Sequence, residues 1–209
     1  MDSGARNDMS VRRKAVWGSG VRLLMAALLA ALSSSCGDMV REGTASSYLI
    51  VENFLATSGD GDAGTTLLSD VITVVDGVPS IFNDVATVTF RLGMKDPALA
   101  TSPTQANWIT VNQYRVRFSR TDGRNEPGVD VPYGFDGALT LTVSGSATGS
   151  FELVRHTAKR EAPLKALGTS AVIIQTIAEV TFYGRDQTGR EVSVSAQMLV
   201  NFGNFADPG

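Results

Sequence analysis

The strongest constraint on this chain is the two-residue rhythm of its C-terminal part. Val172, Ile174, Ala178, Val180 and Phe182 form one apolar series, and Val192, Val194, Ala196, Met198, Val200 and Phe202 form a second. Successive side chains of a β-strand point to opposite faces, so each series gives a strand with one apolar and one wet face. Between the two lies GRDQTGRE, a polar connection containing glycine and suited to a hairpin. A sheet with one apolar face must bury it against another layer.

The same rhythm recurs upstream. Ala86, Val88, Phe90, Leu92 and Met94 share one face, and Thr87, Thr89, Arg91 and Lys95 the other. From Trp108 to Arg120 the phase changes: Ile109 and Val111 are odd-numbered, whereas Tyr114, Val116 and Phe118 are even-numbered. A bulge or bend near Asn112 and Gln113 would keep both sets inward. Leu139, Leu141 and Val143 predict a further strand, followed by SGSATGS as a flexible turn or loop and then a strand from Phe151 to His156. Tyr48 to Ala56 carries apolar residues on both faces (Leu49, Ile50, Val51, Phe54, Leu55), as expected of a strand that is covered on both sides or bends. The single helical segment predicted is APLKALG, with Pro163 in its first turn and Gly168 at its stop. All seven prolines fall between the predicted strands or at their margins. Many strands and almost no helix predict an all-β fold, an antiparallel β-sandwich of immunoglobulin-like topology, as one domain over residues 47–205. The cysteine pair and strand tryptophan of true immunoglobulin domains cannot be placed, and Trp108 is only a candidate core aromatic.

Residues 1–35 read as an export signal: a basic stretch with Arg12, Arg13, Lys14 and Arg22, an apolar run from Leu23 to Leu32, then small residues. That run is shorter than the roughly 20 residues a membrane span needs. The arginine pair lies in SVRRKAV, without the Phe-Leu that follows it in a twin-arginine signal. Cys36, the only cysteine, then stands where a bacterial lipoprotein carries its diacylglycerol and becomes the new N-terminus; residues 36–46 read as a lipidated polar tether. The alternative is ordinary cleavage nearby, leaving a free or mixed-disulfide thiol. A lone cysteine has no intramolecular partner, so stability must come from a packed core. Residues 1–36 carry five of the 18 Lys and Arg and two of the 21 Asp and Glu, leaving the rest at net −6. That balance disfavours nucleic acid or anionic lipid as a charge-driven partner.

Chemistry-bearing residues are sparse. His156, the single histidine, would have to serve any hydrolase triad, but no GxSxG elbow accompanies it, and a surface or strand-edge role is expected. One His and one Cys do not make a zinc site. DGDAGTT begins like a calcium loop at Asp60 and Asp62, but has Gly64 at the fifth position and Val71 at the twelfth, so an acidic turn is expected. No phosphate loop is present, since GDGDAG lacks the Lys-Ser/Thr ending. Arg155, Lys159, Arg160 and Lys165 are expected to form a solvated face. The most unusual stretch is RTDGRNEPGVDVPYGFDG, residues 120–137, far longer than the usual connection of about 4 to 6 residues. It is the candidate partner-binding loop, through Asp122, Arg124, Glu126, Asp130, Tyr133 and Asp136, with calcium as an option; the bland reading is a crossover between sheets that folds back on its own charge pairs. No cofactor is expected.

The stretches SSSCGDMVREG, IFNDVATVTFRL, YRVRFSRTDGRNEPGVDVPYGFDGALT, FELVRHTAKREAPL and TIAEVTFYGRDQTGREVSVSAQMLVNFGNF resemble a group of uncharacterised lipoproteins of diderm bacteria, across nearly all of the chain beyond the signal. The final hairpin also looks like the closing strand pair of bacterial immunoglobulin-like domains. The resemblance implies a lipid-anchored β-sandwich of the cell envelope, at the outer membrane and facing the periplasm or the exterior, and implies no catalytic residue. The expected function is a non-enzymatic binding or structural module whose protein partner is not specified. The alternative is a self-assembling or strand-donating subunit of an envelope filament, prompted by the two-faced strand at Tyr48 to Ala56.

Overall fold

The computed structural model describes residues 45–58, 61, 63–96 and 103–205. The expected signal peptide, Cys36 and all of the tether before Ala45 lie outside the described residues, as do Asp60 and Asp62. Ten strands follow in order: β1 (Ser47–Thr57), β2 (Thr66–Asp70), β3 (Thr73–Val75), β4 (Val78–Ser80), β5 (Asp84–Met94), β6 (Ile109–Ser119), β7 (Phe135–Val143), β8 (Ser146–Val154), β9 (Ile174–Asp186) and β10 (Glu191–Gly203). A three-stranded sheet, β1-β5-β8, packs on a five-stranded sheet, β2-β10-β9-β6-β7. β3 and β4 make a small separate hairpin through Asp76 and Gly77, both at positive φ, the Asp-Gly pair that a tight hairpin turn demands. Pro79 sits in the middle of β4, where only one side of the strand is paired.

The connections β5 to β6, β7 to β8 and β8 to β9 each cross between sheets, and β7 lies beside β6 on the sheet that holds β9 and β10. This is an immunoglobulin-like sandwich of the variable-type arrangement. One edge departs from the expected all-antiparallel pattern. The chain changes sheets between β1 and β2, so β1 runs antiparallel to β5 while β2 runs parallel to β10, Thr66 opposite Leu199 and Asp70 opposite Gly203.

The rhythm read from the sequence is the rhythm of burial. On β5, Ala86, Val88 and Phe90 are fully buried, and on β9 so are Ala178, Val180 and Phe182. Phe90 and Phe182 meet edge to face across the two sheets, with ring centroids 4.9 Å apart at 83°. Phe151 of β8 stands 5.2 Å from Phe182, and Tyr114 of β6 stands 4.7 Å from Phe151. Immunoglobulin domains join the strands equivalent to β5 and β9 by a disulfide packed on a tryptophan. Aromatic rings fill that position here, and Trp108 is a half-buried neighbour of the core at its margin.

Both phase changes are bulges. β6 slips register against β7 and β9 between Val111 and Gln113, so Ile109 and Val111 point inward before the slip and Tyr114, Val116 and Phe118 after it. β1 slips against β5 between Val51 and Asn53, which resolves its two apolar faces as a bend. Two expectations are corrected. SGSATGS is a turn only at Ser144 and Gly145; β8 begins at Ser146, with the hydroxyls of Thr148 and Ser150 bonded to Thr89 and Thr87 at 2.9 and 3.1 Å. Small residues face inward there because Leu139 and Leu141 of β7 fill the space: a Cβ on Gly149 would lie 3.2 Å from both. APLKALG becomes a 3-10 turn, Leu164–Thr169, that buries Leu164 and Leu167; Gly168 lies inside it, close to Ile72. A one-turn helix, α1 (His156–Lys159), precedes it and has no apolar period to announce it.

Truncating Phe182 to Ala removes the ring shared by three aromatic contacts and is expected to lower stability by about 3–5 kcal/mol. Urea unfolding followed by tryptophan fluorescence measures it, and a loss below about 1 kcal/mol would show that the sheets are held elsewhere.

Candidate functional site

The long loop does not cross between sheets. It joins β6 to β7, antiparallel neighbours in the same sheet, and Arg120, Asp122 and Arg124 pair with one another within it. Asp122 accepts from Arg120 Nη2 at 2.5 Å and Nε at 3.1 Å, from Arg124 Nε at 3.1 Å, and from the Arg124 N–H at 3.2 Å. The Arg120 N–H donates to Asn125 Oδ1 at 2.5 Å. The Glu126 carbonyl accepts from the N–H groups of Val129 and Asp130, and Asp130 Oδ2 accepts from the Glu126 N–H at 3.2 Å. Val131 is buried and anchors the loop, and Tyr133, 57% exposed, lays its ring over Gly128, leaving no room there for a Cβ. Gly128 also has φ 79°, a conformation that glycine adopts without strain.

Asp136 belongs to a different place: it lies on β7 opposite Arg115 of β6, with bonds of 2.6 and 3.1 Å. The six candidate residues thus fall into an arginine clamp at Asp122 and Arg124, a backbone turn at Glu126 and Asp130, an exposed ring at Tyr133, and a cross-strand pair at Asp136. They do not converge on one point. Among the described residues no group of three or more His, Cys, Asp or Glu side chains is placed to hold a metal ion. Hydrogen bonds from Arg120 hold the Asp122 carboxyl far below the usual carboxylate range, and those from Arg115 lower Asp136.

The outer face of the five-stranded sheet gathers more. At the β6 bulge Asn112 and Gln113 both point outward, an arrangement that strict alternation forbids. Gln113 lies opposite Tyr183, and Thr110 opposite Arg185. Gly184 lets β9 approach the bulge, because a Cβ there would lie 2.6 Å from the Thr110 carbonyl oxygen. The result is a shallow concavity of about 400 Å³ bordered by Asn112, Gln113, Tyr183, Arg185, Glu191 and Ser193. Arg185 at its border bonds Glu191 at 3.0 Å, and Arg115, outside the concavity, sits 6.0 Å from the centre of the Tyr183 ring while bonding Asp136. Hydroxyl pairs stiffen the surrounding strands, Thr110 with Thr142 and Thr181 with Ser195, each at 2.9 Å. Two amides, a phenol and two paired guanidiniums on rigid strands suit hydrogen bonding to a polar partner surface. The phase change at Asn112 signalled the adjacent outward amides; their proximity to Tyr183 and Arg185 depends on strand order, which no local pattern encodes.

Below the sheets, the basic cluster is not the solvated face expected. Arg160 and Lys165 are exposed, but Lys159 is 2% exposed, and its Nζ donates to Asp84 Oδ1 at 2.8 Å. Asp84 is fully buried, and Ser69 Oγ donates to its other oxygen at 2.5 Å. Burial pushes the Asp84 carboxyl above its ordinary value, with the Lys159 charge and hydrogen bond opposing. His156 opens α1 at the end of β8, its N–H donating to Asn83 Oδ1 at 2.6 Å and its ring Nδ1 lying 2.9 Å from the same oxygen. Arg155 stacks over Phe135 at 3.9 Å. No protein-family model and no curated protein matches this chain.

A depressed carboxylate contributes stability that is complete above its unfolded value near pH 4 and is lost as pH falls through its folded value. The Asp122 clamp is therefore expected to hold through the pH range in which an ordinary aspartate titrates and to open only on further acidification. The amide resonance of Arg124, which donates to Asp122 Oδ1, reports this directly. Asp122→Asn should abolish the titration while lowering the urea midpoint only slightly, because Asp122 itself is exposed. Titration of the wild-type carboxyl at an ordinary aspartate value would show that the clamp does not form.

Proposed function

We propose that this protein is a lipid-anchored, non-enzymatic β-sandwich of the diderm cell envelope that binds a polar partner with the outer face of its five-stranded sheet. The observation that carries the reading is the concavity at the β6 bulge, where Asn112, Gln113, Tyr183 and Arg185 are held on paired strands rather than on a loop. Sites built on strands keep their geometry, which favours recognition of a structured surface. The sequence adds the anchor: an apolar signal core, Cys36 after small residues, and a short polar tether before Ser47. Each buried CH₂ of an acyl chain contributes about 0.8 kcal/mol, so a lipidated N-terminus carrying more than one chain would hold the domain stably at the outer membrane. The net charge of the chain beyond the signal argues against nucleic acid as the partner.

Strand donation is the weaker reading. β1 is already paired in cis with β5 from Ser47 to Thr57, and donating it would require that pairing to break.

Two measurements test the proposal. In a diderm host fed an alkyne palmitate analogue, the full chain is expected to take up label and enter the detergent phase on cloud-point extraction, and Cys36→Ala to do neither; an unlabelled wild type would overturn the anchor. A photo-crosslinking residue at Gln113 is expected to trap a partner in intact cells, whereas one at Thr89, on the outer face of the other sheet, is not. Adducts at Thr89 alone would move the binding face to the three-stranded sheet.

A further inference from the structure

The pair formed by Lys159 and Asp84 has no part in the binding face. Lys159 is the last residue of α1, Asp84 the first of β5, and Ser69 lies on β2, so three separate segments meet here. The two charged side chains are 1% and 0% exposed. A buried ion pair is a weak source of stability, because desolvation of both groups offsets their attraction. The same geometry is well suited to a different outcome. An amine donating to one carboxyl oxygen at 2.8 Å lies close to the carbon that bears it, near the roughly 3–3.5 Å separation of reacting atoms poised to combine. The other oxygen is held by a hydroxyl donor, and water is excluded.

We propose that Lys159 and Asp84 condense, without a cofactor, into an intramolecular isopeptide bond between Nζ and Cγ. A proton first passes from the Lys159 ammonium to Asp84 Oδ1, leaving a neutral amine beside a neutral acid. Burial favours this form, since it raises the affinity of Asp84 for a proton, and the charge of Asp70 acts in the same sense. The Nζ lone pair then attacks Cγ, and negative charge develops on Oδ2, where the Ser69 hydroxyl already donates at 2.5 Å. The Cγ–Oδ1 bond breaks, and Oδ1 leaves as water carrying two of the three ammonium protons; the third remains as the amide N–H. Nothing is oxidised or reduced and no co-reactant is consumed. The product replaces two buried charges by one neutral amide. It also ties α1 to β5 across 75 positions of sequence, in a chain whose single cysteine allows no internal disulfide.

The test is peptide mass analysis of the full chain after folding, denaturation and trypsin digestion. The expected result is one branched species joining residues 42–91 to residues 156–160, lighter than the two peptides together by the mass of one water, with cleavage after Lys159 blocked. Lys159→Arg should give only separate peptides and a chain that migrates more slowly than wild type in a denaturing gel. Asp84→Asn should give the same branched species through loss of ammonia. Separate peptides from the folded wild type, with Lys159 cleaved normally, would overturn the proposal. Followed over time after refolding, the branched species should form at least tenfold more slowly in Ser69→Ala; an unchanged rate would overturn the role given to Ser69.

Discussion

The edge-to-face contact of Phe90 with Phe182 is the constraint on which the rest of the molecule depends. It fixes one strand of each sheet against the other at the centre of the sandwich, where a disulfide would do so in an antibody domain. Once those two rings are inward, period-two alternation decides every other position on β5 and β9. Thr87 and Thr89 must face outward, and so must Thr181, Tyr183 and Arg185. The polar outer face is therefore a consequence of the aromatic core, read one residue out of phase. Edge-to-face aromatic pairs contribute about 0.5–1.5 kcal/mol beyond their buried area, and the cluster of Phe151, Tyr114 and Phe54 around this pair extends the contact to both sheets.

The sequence was most legible where one face is apolar and the other is not. The final hairpin, the inward set of β5 and the bulge near Asn112 all follow from counting in twos, and the structure has each of them. β8 was only half legible. Its N-terminal half places Ala147 and Gly149 inward, because Leu139 and Leu141 reach across from β7, and small residues opposite large ones leave no hydrophobic signal. The parallel pairing of β2 with β10 depends on a sheet change between β1 and β2, a long-range event without a local pattern. Lys159 was misread for a different reason. Charged residues are almost never fully buried unless paired, and its partner Asp84 lies 75 positions away.

The long loop shows how composition can mislead about function. Residues 120–137 combine charge, aromatics and turn residues in a way that suggests a binding surface, yet three of the charges close the loop on itself. Arg120, Asp122 and Arg124 form one clamp, and Asn125 ties back to both the N–H and the carbonyl of Arg120. What the loop does is hold the β6 and β7 ends in place. Asp136, at its far end, helps fix Arg115 beside Tyr183, so the loop supports the concave face without being part of it.

The two ends of the argument meet in how the chain handles polarity. On the outer face Thr110, Arg115, Thr181 and Arg185 are partnered by other side chains yet still open to solvent, the condition under which a partner can exchange for water at little cost. In the interior the opposite holds: Ser69, Asp84 and Lys159 are closed off from solvent and bonded to one another at 2.5 and 2.8 Å. Solvated pairs are interchangeable and suit recognition, whereas a sealed amine and acid have no exchange partner but each other. Condensation would make the loss of buried charge permanent where proton transfer alone is reversible, and the position of the pair between β2, β5 and α1 would place the resulting covalent tie at the end of the sandwich where the connection from β8 to β9 crosses between the sheets.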